Sequence, residues 1–147
     1  MDKQRKTMNI FEEVRNLNLP IGEYVIVGSG PMAAREIRDF KDIDILVSEK
    51  LYDELIKKDW KVVEIEGVGG KFKVLKKGIF EVNTTLWHGD YKPNTEDLIK
   101  KAEIICGMPF LPLPELIKFK TALGREKDQK DIELINNYLK KISDEKD

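Results

Sequence analysis

The chain has 147 residues, enough for one domain with a real core and too few for two ordinary ones. Charged residues make up 36% of it yet cancel to a formal net charge of -1, so it lacks the global basic bias behind non-specific nucleic-acid binding, while a local basic patch stays open. A single cysteine, Cys106, and a single histidine, His88, exclude a disulfide within this sequence and any zinc site built on several Cys or His ligands. Cys106 is expected as a small buried apolar residue and His88 as a loop or surface residue.

Met1 to Thr7 is charged and has no apolar h-region, and no apolar run reaches membrane-spanning length, so a cytoplasmic protein without a membrane partner is expected. Ile10, Phe11, Val14 and Leu17 recur at helical spacing, and Pro20 with Gly22 ends that helix. Tyr24 to Val27 is a short β-rich run feeding Gly28-Ser29-Gly30, after which Pro31 fits the first turn of a helix from Met32 to Ile37. Ile43 to Val47 is the next strand, and Leu51, Tyr52, Leu55 and Ile56 supply the apolar stripe of a helix from Glu49 to Lys58. Lys61 to Glu66 alternates as a strand does until Gly67, Gly69 and Gly70 break it. Phe72 to Leu75 and Ile79 to Asn83 flank Lys76-Lys77-Gly78, a β-hairpin whose glycine supplies a positive φ.

Thr84 to Pro93 reads as a loop, and Asn94 or Thr95 caps a short helix to Lys101 with Glu96 and Asp97 favourable in its first turn. Glu103 to Cys106 forms a short strand, and Gly107, Pro109, Pro112 and Pro114 punctuate the chain before helices at Glu115 to Leu123 and Asp128 to Ile142. Ser143 to Asp147 is expected to fray. This order predicts a single α+β domain over residues 1–142, a mixed, largely antiparallel sheet with helices before, between and after its strands.

Alternation along the second strand sends Asp42, Asp44 and Leu46 to one side and Ile43, Ile45 and Val47 to the other. Neighbouring acids repel, and a fold keeps them together where a divalent cation or an unusual proton arrangement makes the closeness useful. The turn at Gly28-Ser29 brings backbone N–H groups toward phosphate oxygens, with Ser29 as a further donor. Such turns are also common without a ligand, and an acidic pair is equally a solvated strand edge. Glu81, between Phe80 and Val82 in the hairpin, is placed to bring a third carboxylate from a neighbouring strand, and three such groups suit Mg²⁺ or Mn²⁺. Lys71, Phe72, Lys73, Trp87, Tyr91 and Lys92 fit either a nucleic-acid surface or a solvated hairpin face with core aromatics. A dinucleotide reading competes, because Gly28, Gly30 and Ala33 occupy the G-x-G-x-x-A positions and Glu49 follows about twenty residues on.

Gly28-Ser29, twelve intervening residues and Asp42-Ile43-Asp44-Ile45 together resemble the signature of the DNA polymerase β-like nucleotidyltransferase superfamily. Arg38 and Lys41 resemble basic residues that many small members carry before the acidic pair, although Phe40 stands where those members often have Thr. Leu116, Lys120, Arg125, Lys127, Asp128 and Asp131 resemble the closing pattern of small bacterial and archaeal members, including relatives of abortive-infection toxins. The resemblance implies transfer of a nucleoside monophosphate from a nucleoside triphosphate to an acceptor hydroxyl on RNA, protein or a small molecule. In that scheme Gly28, Ser29, Arg38 and Lys120 hold the nucleotide. Asp42, Asp44 and Glu81 ligate Mg²⁺ or Mn²⁺, and Glu81, where members more often have Asp, helps deprotonate the acceptor. Arg125, Lys127, Asp128 and Asp131 fit a salt-bridged helix start better than direct catalysis. The alternative is a non-catalytic nucleotide-binding protein or toxin–antitoxin partner of the same fold, with a partner protein or a homo-oligomer as the assembly.

Overall fold

A computed structural model describes residues 9–67 and 70–145. The expectations for Met1 to Thr7, for Gly69 and for the last two residues of the tail lie outside the described residues. Along the chain run α1 (Ile10–Arg15), β1 (Tyr24–Val27), α2 (Gly30–Ala33), β2 (Ile43–Val47), α3 (Glu49–Ile56), β3 (Lys61–Gly67) and β4 (Gly70–Lys77). There follow β5 (Phe80–Asn83), α4 (Thr95–Lys100), β6 (Glu103–Ile105), β7 (Met108–Phe110), α5 (Leu113–Leu123) and α6 (Glu126–Glu145). The seven strands form a mixed sheet in the order β3-β4-β5-β2-β1-β7-β6. Two neighbouring pairs, β1 with β7 and β2 with β5, are parallel, and the other pairs are antiparallel. The mixed α+β architecture with carboxy-terminal helices is present as expected.

Helices cover both faces of the sheet, which is why β1 reads as a continuous apolar run, buried at all four residues. Ile26, Ile43, Ile45 and Val47 pack with Ile10 and Val14 of α1 and with Leu51 and Leu55 of α3. On the opposite face Val25, Val27 and Leu46 pack with Leu98, Leu116 and Ile135 of α4, α5 and α6. The period-two reading of β2 therefore holds, and it turns Asp44 toward the layer that contains α5. Asn9 caps α1 and Ser48 caps α3, each accepting a backbone N–H three residues on. Among the described residues no helix is long and apolar enough to cross a membrane.

Several expectations need correction. The helix after Pro31 stops at Ala33 rather than Ile37, since Glu36 takes φ +59° and the Arg35 guanidinium folds back onto the Pro31 carbonyl at 2.8 Å. Met108 to Phe110 is a strand despite Pro109. The proline is tolerated because β7 meets β1 only one residue later, where Ile26 pairs with Phe110 and the Leu111 N–H donates to the Ile26 carbonyl at 2.9 Å. Cys106 is exposed, not buried, because it and Gly107 form the two-residue β6–β7 turn with φ of +51° and +81°. Finally, α6 runs on to Glu145, so Ser143 to Glu145 is helical, there being no glycine or proline after Ile142 to stop it.

Candidate functional site

The site is assembled across strands rather than along one. Val27, at the end of β1, pairs with Asp44 on β2, and Asp44 pairs with Glu81 on β5, which in turn pairs with Lys76 on β4. Directly opposed residues share a face of the sheet, so Asp44, Glu81 and Lys76 stand side by side toward the α5 layer. Lys76, expected in the hairpin turn, is a strand residue whose Nζ lies 3.7 Å from Glu81 Oε1. Asp42 lies outside the strand, exposed in the segment before β2. Ser29 Oγ donates to the Asp42 carbonyl at 3.4 Å, a contact that ties the glycine turn to the acidic segment.

Gly28 is required twice over. Its φ is +67°, and a Cβ placed on it would lie 2.4 Å from Asp44 Oδ2. The turn and the carboxylate thus meet with no space between them. Gly78 has a similar φ of +59° with nothing within 4 Å, and it serves as the control for backbone strain alone. We expect Gly28→Ala to lose more stability than Gly78→Ala, which should cost about 1–3 kcal/mol from its left-handed backbone. Urea unfolding of the two variants measures the difference, and equal losses would show that Asp44 gives way freely.

The Asp44 carboxyl is pushed up from its ordinary 3.8 to about 6, first by burial and then by the charges of Glu81 and Asp42, while Lys120 and Lys76 oppose the shift. Acids crowded this way bring hard oxygen donors of the type Mg²⁺ and Mn²⁺ prefer, and a cation there would offset their repulsion. Among the described residues, no three Asp, Glu, His or Cys side chains already converge into a cation cage. The pair in place is Asp44 with Glu81, and Asp42 stands beyond it.

The two basic residues expected at the nucleotide are held by acids of the closing pattern. Lys120, buried on α5, donates to Asp131 Oδ2 at 2.9 Å and lies 3.8 Å from Asp128 Oδ1. Arg38 forks onto Asp131 through Nε at 2.9 Å and Nη2 at 3.1 Å. Arg125 forks onto Asp128 at 2.6 and 3.1 Å, making the salt-bridged start of α6. Burial alone would raise both carboxyls, but hydrogen bonds from Arg125 to Asp128, and from Arg38 and Lys120 to Asp131, outweigh it and hold them below the ordinary range. Lys120 still acts on Asp44 through its charge.

A cavity of about 150 Å³ opens against Gly28, Asp44 and Glu81 and is also lined by Asn83, Thr85 and Phe119. None of these last three was singled out from the sequence. Asn83 was within reach of the period-two rule, being two residues beyond Glu81, whereas Phe119 needed the placement of α5. The basic and aromatic set divides. By strand alternation and register, Lys71 and Lys73 project from the sheet face opposite Glu81 and oppose Glu66 and Glu64. Phe72 shares the Glu81 face and is 49% exposed. Trp87 is 54% exposed, its indole N–H donating to the Pro93 carbonyl at 2.9 Å and the Lys92 ammonium lying 6.0 Å from its ring. Tyr91 is half-buried against Phe119, as a core aromatic.

The G-x-G-x-x-A run does not lie in the unit that fingerprint needs. β1 and β2 are antiparallel and the intervening helix has four residues, whereas a dinucleotide fold joins parallel strands through a full crossover helix. Comparison with models of protein families, with curated proteins and with solved structures finds no match for this chain.

Proposed function

We propose that the protein is a metal-dependent nucleotidyltransferase with a nucleotidyltransferase-like fold, acting in the cytoplasm on a nucleoside triphosphate and an acceptor hydroxyl of RNA, protein or a small molecule. The observation that carries this reading is the alignment of Asp44 with Glu81 on adjacent strands, with the Gly28 turn packed directly against the Asp44 carboxylate. In this scheme Gly28 and Ser29 receive the triphosphate. Asp44, Glu81 and Asp42 would hold Mg²⁺ or Mn²⁺, which supplies charge neutralisation for the phosphates and the leaving pyrophosphate. Glu81 takes the proton of the acceptor hydroxyl, whose oxygen bonds to the α-phosphorus as the bond to the bridging oxygen breaks. Arg38 and Lys120 add positive potential from the side, oriented by Asp131.

A non-catalytic nucleotide-binding subunit of the same fold, in a toxin–antitoxin pair or a homo-oligomer, is favoured by one contact. Lys76 Nζ lies 3.7 Å from Glu81 Oε1, and an ammonium paired with that carboxylate competes with a metal cation for it. Titration calorimetry with the four nucleoside triphosphates should show Mg²⁺-dependent binding, weakened at least about tenfold in Asp42→Asn. Labelled triphosphates incubated with total RNA, aminoalcohols and candidate proteins should then give labelled product and pyrophosphate. Binding without any product supports the subunit reading, and no binding in wild type rejects both.

A further inference from the structure

We propose that the cavity beside the acids is a nucleobase pocket in which Asn83 reads the edge of the base and Phe119 supplies its stacking face. The proposal rests on the nucleotidyl-transfer reading above and goes beyond it by assigning the group that enters this space. A cavity of about 150 Å³ admits one ring system rather than a whole nucleotide. Its lining combines Gly28, Asp44 and Glu81, which the transfer reading assigns to the phosphates and metal, with Asn83 at the end of β5 and Thr85 just beyond it.

Asn83 lies on the face of Glu81, two residues further along the strand and in register with Leu46. Its carboxamide offers both a donor and an acceptor, the complement of a base edge that carries one of each. Phe119 is held by a chain of contacts. Its ring meets that of Tyr91 at 5.8 Å, and the Tyr91 hydroxyl donates to the buried Glu115 at 2.6 Å. Lys101 Nζ holds the other Glu115 oxygen at 2.9 Å. The segment after β5 is also fixed, since Thr95 Oγ1 donates to the Thr84 carbonyl at 2.5 Å and His88 and Tyr91 exchange backbone bonds at 2.9 and 3.0 Å. A cavity lined by an aromatic ring, a carboxamide and two carboxylates suits a nucleobase. That base belongs either to the incoming triphosphate or to the terminal nucleoside of an RNA acceptor.

The test compares wild type with Asn83→Leu, Asn83→Ser and Phe119→Leu by calorimetry in Mg²⁺. Three probe sets are used: the four nucleoside triphosphates, four homodinucleotides that lack a triphosphate, and inorganic tripolyphosphate. Wild type should discriminate among bases in one of the first two sets, and that set identifies the source. Both Asn83 variants should compress the discrimination about tenfold, and Phe119→Leu should weaken every base in that set about tenfold. Tripolyphosphate should bind all four proteins alike. Should wild type not discriminate, or the Asn83 variants keep its full discrimination, the nucleobase pocket is rejected while tripolyphosphate binding leaves the transferase reading standing. Failure of wild type to bind tripolyphosphate removes that reading itself.

Discussion

Asp44→Asn is expected to be more stable than wild type at pH 7.5 and to lose the proposed nucleotidyl transfer by about a thousandfold. The Asp44 carboxyl sits at about 6 in the fold, against an ordinary value of 3.8, mainly through burial and then through Glu81 and Asp42. A group raised in the folded state binds its proton more tightly there. Its contribution is fully present below the unfolded value and is lost as pH rises through about 6. At pH 7.5 the ionised carboxylate therefore costs on the order of 3 kcal/mol relative to its protonated form. Asparagine keeps the shape and removes the charge, so a gain of about 1–3 kcal/mol is expected at pH 7.5 and almost none at pH 4. Urea unfolding at the two pH values, taken as the difference between variant and wild type, cancels the opposite slopes of Asp128 and Asp131. A loss of stability at pH 7.5 would mean that Asp44 already has a stabilising partner. In wild type, Mg²⁺ affinity should rise with pH through the same region, since proton and cation compete for this carboxylate.

Local features of this site were legible in the sequence because they obey local rules. Alternation placed Asp44 and Leu46 on one face of β2 and Ile43, Ile45 and Val47 on the other, and the packing follows that division. Gly28 reads locally as a turn glycine, but its contact with Asp44 depends on the pairing of Val27 with Asp44, which no local pattern specifies. The same limit hid Lys76. Read along the chain it belongs to a Lys-Lys-Gly turn, and only the β4–β5 register reveals it as the neighbour of Glu81. Asp42 and Asp44 looked like an equivalent pair, yet β2 begins at Ile43, so one acid is carried by the sheet and the other by the preceding segment. The β7 strand was hidden by its proline, whose penalty is avoided through the placement of its single pairing with β1. Arg38 and Asp131 each belong to a sequence pattern, but their contact spans most of the chain and depends on how α6 packs back.

Lys120→Met separates what this lysine does for the fold from what it does for the site. Its ammonium is the buried partner of Asp131 and a neighbour of Asp128, so removal leaves two buried carboxylates with one cation fewer between them. Because Arg38 still holds Asp131 and Arg125 still holds Asp128, the loss should fall near the lower end for a broken buried pair, about 3 kcal/mol. Both carboxyls are depressed in the fold, so the stability they contribute is present above their unfolded values and is lost as pH falls through the folded ones. The variant should therefore differ most from wild type at neutral pH and converge with it in acid, and Lys120→Met combined with Asp131→Leu should recover part of the loss. The catalytic consequence runs through Asp44. Lys120 is one of two cations that lower its carboxyl, so its removal should move the midpoint of the pH dependence of Mg²⁺ affinity above about 6. Direct contact with the triphosphate predicts a raised KM with an unmoved midpoint. An electrostatic role predicts a moved midpoint with KM unchanged once the carboxylate is fully ionised. A purely structural role predicts lost stability with neither change.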